Sequence, residues 1–192
     1  MTFVLTDDRR KAYLALWDSC ETVPSKIAES LAVARKLLAH RPIYASIVNL
    51  LPIPWYVVGC LHSMECDLDF GCHLANGDPL TARTRHAPIG LPRTGFPPFS
   101  FNVAALAALA DSGMVTVVDW SIPGILFELE KWNGAGYAMR GINSPYLWAS
   151  TTVQARGKFV RDGVFDPDCV SEQMGCASLL KSLQVVADIE LM

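Results

Sequence analysis

The sequence predicts a mainly α-helical protein with one small β-hairpin or loop region. Apolar residues recur at spacings of three and four along most of the chain, behind Ser or Thr residues suited to capping helices. One stretch, residues 67–98, instead carries four glycines and five prolines, which indicates turns and short strands. A length of 192 residues suits one domain, and we expect residues 1–192 to form it.

Three helices are predicted in residues 6–51, where they are expected to pack on the core. Thr6 or Asp7 can cap the first, which runs through Cys20. Ser25 can cap the second, which runs to about His40 with its apolar residues three or four apart. A short helix over residues 43–51 follows.

A strongly apolar helix is predicted over residues 54–65, with Pro54 in its first turn, where proline is well tolerated. Its apolar residues cover most sides, so we place it in the core. In the loop-rich stretch that follows, Asn76-Gly77-Asp78 is a tight-turn signal, and residues 81–86 could form one arm of a hairpin.

Helices resume after this stretch. Ser100 can cap a helix over residues 101–112, and Ser121 can cap one over residues 122–132. A short segment around residues 146–152 and a last helix over residues 171–187, capped by Ser171, complete the chain. We find no repeat, low-complexity tract or linker.

Composition excludes several classes of protein. Hydrophobic residues make up 51% of the chain and charged residues 18%, which is typical of a folded globular protein. The net charge is -3 and no basic stripe occurs, so we expect no nucleic-acid partner. Neither a signal peptide nor a membrane-spanning run is found, which predicts synthesis in the cytoplasm and no stable membrane insertion.

The chain has six cysteines. Without a signal peptide, we expect them to be reduced and mostly packed. Three of them recur every six residues near His62 and His73, but no C-x-x-C pair is present, so we expect no metal and no cofactor. The three cysteines are Cys60, Cys66 and Cys72.

Glu65 is the most informative residue. It lies near the end of the predicted apolar helix, where Leu61 and His62 share its face. Apolar neighbours and the negative end of the helix dipole would both raise the pKa of its carboxyl group. A carboxyl group that stays protonated near neutral pH can donate a proton to a glycosidic oxygen. The alternative is a Glu that points into solvent or pairs with Arg83 or Arg85.

A second group would have to stabilise the positively charged transition state or hold a water molecule. Asp67, Asp69 and Asp78 are the nearby candidates, and the turn that holds Asp78 could fold back over Glu65. The alternative for each aspartate is to stabilise a turn, which is common for Asp beside Gly and Pro.

An aromatic and amide cluster, residues 132–137 with Tyr146 and Trp148, suits the wall of a sugar-binding cleft. The alternative is that these rings belong to the core. Other chemistries lack their motifs, since G-x-S-x-G, the Walker and Rossmann glycine patterns and H-E-x-x-H are all absent. A Cys/His hydrolase remains an open alternative.

Several motifs, in order, resemble those of a family of phage and bacterial lysozyme-like proteins identified as endolysins or peptidoglycan hydrolases. The resemblance covers about residues 5–183. The residues from Trp132 to Gly136 are also similar to the Y-N-A-G-x-G motif of goose-type lysozymes and lytic transglycosylases. The family motifs are Ile53-Pro54-Trp55-Tyr56, Leu61-His62-Ser63-Met64-Glu65, Asn76-Gly77-Asp78-Pro79-Leu80-Thr81-Ala82-Arg83-Thr84, Pro92-Arg93-Thr94-Gly95, Trp132-Asn133-Gly134-Ala135-Gly136-Tyr137, Ser144-Pro145-Tyr146-Leu147-Trp148 and Gly157-Lys158-Phe159-Val160-Arg161-Asp162-Gly163.

The resemblance implies a lysozyme-like fold and cleavage of the β-1,4 bond between N-acetylmuramic acid and N-acetylglucosamine in peptidoglycan. It implies that Glu65 is the catalytic acid. We expect a cleft in about residues 54–163, with Asp78, or a water molecule held there, as the second catalytic group. It also implies holin-assisted release from the host cytoplasm, so that the enzyme reaches the cell wall and causes cytolysis. We expect a monomer. The expected substrate-binding residues are His62, Asp69, Asn76, Thr81, Asn133, Gly134, Tyr137 and Tyr146.

Two alternatives to hydrolysis of this bond by a muramidase stay open. A lytic transglycosylase would use the muramic acid 6-hydroxyl group in place of water and would need no second carboxylate. An inactive glycan-binding or structural protein would be consistent with departures from the family pattern. These departures fall at Ala75, at Phe101-Asn102 and in residues 151–154.

Overall fold

The computed structural model describes residues 3–161, 163–187, 189 and 191. Met1 and Thr2 of the expected domain and Asp162 of the expected cleft lie outside them. The described chain forms two compact units, one from residues 1–38 with 119–192 and one from residues 39–118. The single lysozyme-like domain stays a prediction.

The protein is mainly helical, as the sequence predicts, and the described residues also form one small antiparallel hairpin. No helix in the described part of the chain is both long and apolar enough to cross a bilayer. The elements in chain order are α1 (Asp7–Ser19), α2 (Ile27–Val48), α3 (Trp55–Cys66), α4 (Phe101–Asp111), α5 (Ile122–Asn133), α6 (Pro145–Trp148), β1 (Lys158–Arg161), β2 (Val164–Asp166) and α7 (Cys176–Ala187).

In the first unit, α1 packs on α5, and α6 packs on both α5 and α7. Helix α1 begins after Thr6, whose hydroxyl oxygen accepts a hydrogen bond from the Arg9 N–H group. Its buried side chains are Tyr13 and Trp17. The predicted first helix and its cap are therefore confirmed.

Helix α2 corrects the prediction of two separate helices. A short 3₁₀ turn over Pro24–Lys26 precedes it, and one continuous helix then runs over Ile27–Val48 with Pro42 inside. Proline removes one backbone hydrogen bond, but it does not end this helix. Buried residues after Pro42 continue the apolar face and favour helix on both sides of it. They are Tyr44, Ile47 and Val48.

Helices α3 and α4 belong to the second unit and match their predictions. Eight of the 12 residues of α3 are buried, and Pro54 stands at its N-cap. The Ser100 hydroxyl caps α4 by accepting a hydrogen bond from Val103 N–H. Gly113, at a φ of 78°, follows the end of that helix.

The predicted hairpin arm over residues 81–86 is wrong. The described residues 67–98 hold only one isolated bridge, between Cys72 and Pro79, and no regular strand. The five prolines in this stretch have no N–H group to donate to a strand partner. The two-stranded hairpin lies instead in the first unit, where β1 pairs with β2.

Helix α7 begins at Cys176, five residues after the predicted start at Ser171. The preceding residues form hydrogen bonds elsewhere in the first unit, because Gly175 N–H donates to the Ala149 carbonyl and the Ser171 carbonyl accepts from Gln154 Nε2. A Cβ atom on Gly175 would lie 2.5 Å from the Leu147 carbonyl oxygen. Residues 171–175 therefore cannot begin the helix.

Pro42→Ala is expected to stabilise the protein by roughly 2 kcal/mol. Pro42 is exposed, so little packing is lost. Alanine restores the helical hydrogen bond and is about 3 kcal/mol better than proline inside a helix, while the freer unfolded chain offsets about 1 kcal/mol. Urea unfolding would measure the change.

Lys36→Ala, at an exposed position of the same helix, is the matched control. It should change the free energy of unfolding by less than about 0.5 kcal/mol. A Pro42→Ala protein no more stable than this control would contradict our account of α2.

Candidate functional site

Glu65 lies in the last turn of α3 and is half-buried. The helix ends at Asp67 and Leu68, two consecutive residues in the left-handed region with φ values of 47° and 64°. The N–H groups of both donate to the His62 carbonyl, which closes the helix end. This sharp reversal directs the following chain back towards the end of α3.

The turn at residues 76–78 packs directly on the backbone of Glu65. A Cβ atom built on Gly77 would lie 2.7 Å from the Glu65 carbonyl oxygen, and Gly77 has a φ of 76°. Two backbone bonds fix the turn, from Gly77 N–H to the His73 carbonyl and from His73 N–H to the Asp78 carbonyl. The turn thus folds back over Glu65 as the sequence suggested, although without a hairpin.

The Asp78 carboxylate is buried and accepts hydrogen bonds at both oxygens. Oδ2 accepts from the N–H groups of Arg85 and His86, at 2.6 and 3.0 Å, and from Asn76 Nδ2. Oδ1 lies 2.7 Å from the exposed imidazole of His86. Desolvation raises the pKa of Asp78, but the bonds from His86 and Arg85 outweigh it and hold the pKa well below the usual range.

These bonds make Asp78 the anchor of a loop, which is the turn-stabilising alternative left open by the sequence. Asn76 supports the same loop, because its Nδ2 donates to the His86 carbonyl at 2.9 Å. Asp69 accepts from Gly71 N–H at 2.8 Å, which lowers the pKa of Asp69 and braces the preceding turn. Thr81 is exposed. The catalytic role of Asp78 and the glycan-binding roles of the other three stay predictions.

His62 is buried in the core of the second unit, and its assignment as a substrate-binding residue stays a prediction. Its side chain has no solvent exposure. Nδ1 lies 2.9 Å from the Tyr44 hydroxyl, and the rings of Phe70 and Phe101 pack on it at 4.5 and 4.4 Å between centroids. Burial lowers the pKa of His62, so this residue is a neutral core histidine behind the end of α3.

The first unit contains a cavity of about 380 Å³, which we call the hairpin cavity. Four of the residues expected to bind substrate line it together: Asn133, Gly134, Tyr137 and Tyr146. The strand β1 and residues around Ser171 complete the wall. Tyr137 and Tyr146 are both largely buried, while Trp148 is a core residue at 1% exposure. The aromatic cluster therefore divides between cavity and core.

Aromatic packing holds the hairpin against the end of α5. The Tyr137 hydroxyl accepts a hydrogen bond from the Phe159 N–H group at 3.0 Å, and the two rings pack edge to face at 5.1 Å. Phe165 packs on Phe159 at 5.2 Å, and the Arg140 guanidinium lies 4.5 Å from the Phe165 ring. Gly136 leaves room for the Phe159 ring, which would lie 3.1 Å from a Cβ atom there.

Sequence reasoning missed the functional potential of Lys158 and Arg161, which also line the hairpin cavity. The resemblance included both residues within a motif, but the motif assigned them no role. A usable signal was the pair of phenylalanines, Phe159 and Phe165, on either side of Gly163. That pattern indicates a short hairpin with one apolar side.

A second carboxyl group, Glu130 on α5, was also missed. It is 5% exposed, lines a separate cavity of about 230 Å³ in the first unit, and accepts a short hydrogen bond from the Tyr13 hydroxyl. Desolvation raises the pKa of Glu130, although the bond from Tyr13 partly opposes the shift. Glu130 is therefore a rival for the role of a protonated acid.

All six cysteines are free thiols, and four of them are buried. The described residues contain no group of three or more His, Cys, Asp or Glu side chains that could hold a metal ion. Comparison with family models, curated proteins and solved structures finds no match to this chain. The lysozyme-like resemblance therefore rests on the motifs of this sequence.

Gly77→Ala is expected to destabilise the second unit more than Gly90→Ala does. Both glycines have a positive φ, which costs alanine about 1–2 kcal/mol. Only Gly77 abuts Glu65, since nothing lies within 4 Å of a Cβ atom on Gly90. Overpacking at Gly77 should add at least about 1 kcal/mol, measured by urea unfolding. Equal losses in the two variants would mean that the turn does not rest on Glu65.

Asp78→Asn is expected to cost about 1–3 kcal/mol at neutral pH, because buried N–H donors lose a charged acceptor. The depressed pKa means that Asp78 stabilises the fold fully above the ordinary Asp pKa of about 3.9. This contribution falls as the pH drops below that value, so the difference from wild type should shrink there.

Unfolding free energies measured across this pH range would test the prediction. Asp168→Asn is the control, because Asp168 is exposed and should show no such pH-dependent difference. A difference for Asp78→Asn that stays constant down to strongly acidic pH would contradict the anchoring role.

Proposed function

We propose that this chain is a peptidoglycan-cleaving enzyme with a lysozyme-like fold, in which Glu65 is the general acid. The observation that carries the proposal is the hairpin cavity, because it is lined by the three residues that the motif resemblance assigns to the sugar cleft, Asn133, Gly134 and Tyr137. A cavity of about 380 Å³ is within the usual range for small-ligand sites and suits one sugar unit.

Glu65 supports the acid role through its position. Glu65 is half-buried, so it is neither sealed in the core nor fully surrounded by water. The turn at residues 76–78 packs on its backbone and so holds the end of α3 from which the side chain extends. A general acid needs both a restricted position and access to the leaving group.

In the proposed reaction, the Glu65 carboxyl group donates its proton to the oxygen of the β-1,4 bond as the bond between C1 and that oxygen breaks. The sugar passes through an oxocarbenium-like state. A water molecule then adds at C1 and loses a proton to the Glu65 carboxylate, which restores the acid. The product of this muramidase reaction is a reducing end.

One observation favours the transglycosylase as a second candidate. Both oxygens of Asp78 already accept hydrogen bonds from its own loop, which makes Asp78 better suited to positioning than to attack. A transglycosylase needs no second carboxylate, because the muramic acid 6-hydroxyl group attacks C1 and gives a 1,6-anhydro end. We propose action on the cell wall after release from the cytoplasm in either case.

Clearing of purified cell walls tests the proposal. Glu65→Gln should lower the clearing rate by about 10²–10⁴-fold, because the amide cannot donate the proton. Glu130→Gln is the matched control, since Glu130 is the buried carboxyl group with a raised pKa elsewhere in the chain. It should clear walls at the wild-type rate.

Each other result has a defined meaning. Equal clearing by wild type and Glu65→Gln would reject Glu65 as the acid, and loss in Glu130→Gln alone would transfer the role to Glu130. No clearing by wild type would favour the glycan-binding alternative. Mass spectrometry of the released muropeptides separates the two enzymes, because an anhydro product excludes simple hydrolysis.

A further inference from the structure

We propose that the hairpin cavity recognises a carboxylate on the glycan through Lys158 and Arg161, and so selects muramic acid units over glucosamine units. This inference rests on the proposed function, since it names the sugar that the cavity would take. The lactyl group of N-acetylmuramic acid and the stem peptide attached to it are the two sources of such a carboxylate in peptidoglycan.

The charge of the cavity carries the inference. Its described lining residues, which do not include the undescribed Asp162, contain two cations, Lys158 and Arg161, and no aspartate or glutamate. The whole chain is acidic, with 19 Asp and Glu against 16 Lys and Arg. A cavity of opposite sign to the chain favours an anionic ligand.

Neither cation is neutralised by another described residue. The ion pairs among the described residues join other groups and leave Lys158 and Arg161 without a carboxylate partner. Asp166 stands opposite Lys158 in the hairpin, but its Oδ1 accepts hydrogen bonds from the N–H groups of Asp168 and Cys169. Among the described residues, no ion pair therefore competes with a ligand for either cation.

A bulge in the hairpin places both cations on one face. Residues three apart in a regular strand point to opposite faces. Here Phe159 pairs with Phe165 and Arg161 with Val164, so Val160 is an extra residue in β1. The extra residue restores the alternation, and Lys158 and Arg161 fall on the same side of the hairpin.

Neutral polar groups complete a site for a sugar. Asn133, Ser171 and Gln173 line the same cavity, and their side chains can pair with hydroxyl and acetamido groups. The Tyr137 hydroxyl already accepts the Phe159 N–H group, which leaves its proton to donate. Guanidinium and ammonium groups add the donors that a carboxylate requires.

Binding of monosaccharides to the full chain, followed by NMR titration, tests the inference without any cleavage. The probes are N-acetylglucosamine, which has no carboxylate, N-acetylmuramic acid, which has a free lactyl carboxylate, and muramyl dipeptide, whose carboxylate lies in the peptide. We expect at least one carboxylate ligand to bind about tenfold more tightly than N-acetylglucosamine, and this preference should weaken with salt. The tighter of the two identifies the source of the carboxylate.

The double variant Lys158→Met and Arg161→Met should remove the tenfold preference, because it should weaken binding of the carboxylate probes more than binding of N-acetylglucosamine. Lys36→Met, at an exposed position on α2, is the control and should keep the preference. Chemical shifts of the Phe159 and Phe165 rings would show whether the hairpin of the double variant stays folded.

The failures of the two proposals are distinguishable. Equal binding of all three probes, or no binding of any, would overturn the inference, and Glu65-dependent clearing would still stand as evidence for the enzyme. A preference for carboxylates that survives in the double variant would also overturn it. A preference lost in that variant, in a protein that clears no walls, would support the inference and reject the enzyme.

Discussion

The second unit depends on a backbone contact that admits only glycine. Gly77 lies against the carbonyl of Glu65 at a φ that other residues rarely adopt. The turn at residues 76–78 is therefore packed tightly against the end of α3. Asp78, the next residue, accepts hydrogen bonds from the N–H groups of Arg85 and His86. These bonds hold a later part of the loop next to the turn. A loop rich in proline gains its order from these bonds because it has few strand bonds of its own.

In the first unit, one hydroxyl group has a comparable role. Tyr137 is buried, and its hydroxyl oxygen accepts a hydrogen bond from the Phe159 N–H group, while its ring packs on the Phe159 ring. A two-stranded hairpin is marginally stable alone, so this docking is what keeps β1 in place. The cavity wall and its two cations therefore depend on the contact between Tyr137 and Phe159.

Local signals in the sequence predicted the helices that have capping residues. They did not predict helix ends that are set by tertiary contacts. Thr6 and Ser100 cap the helices that they were expected to cap. Ser171 does not cap the last helix, because Gly175 is held against residues 147–149. No pattern in the neighbouring sequence predicts that contact. The prediction that a helix ends before Pro42 was wrong for a similar reason, since buried residues beyond Pro42 extend α2.

The candidate site shows the same division. The sequence Asn76-Gly77-Asp78 predicted the turn that packs on Glu65, because Asn, Gly and Asp are favoured in tight turns. The clustering of Asn133 with Tyr146 was suggested by a motif, whereas the approach of Lys158 and Arg161 depends on how the hairpin docks and on its bulge. Spacing alone places residues 158 and 161 on opposite faces, and only the observed register reverses that conclusion.

In the proposed enzyme, access to the polymer favours Glu65 over Glu130 as the general acid. Deep burial raises the pKa of Glu130, which favours the protonated form, but the same burial leaves it 5% exposed and bonded to Tyr13. A proton that must reach a glycosidic oxygen needs a carboxyl group that the polymer can approach. Glu65 is half-buried at the end of a helix held by a loop, and this partial exposure favours it over the better shielded group. A raised pKa alone is therefore a poor guide to the acid in this chain, because the burial that raises it also excludes the substrate.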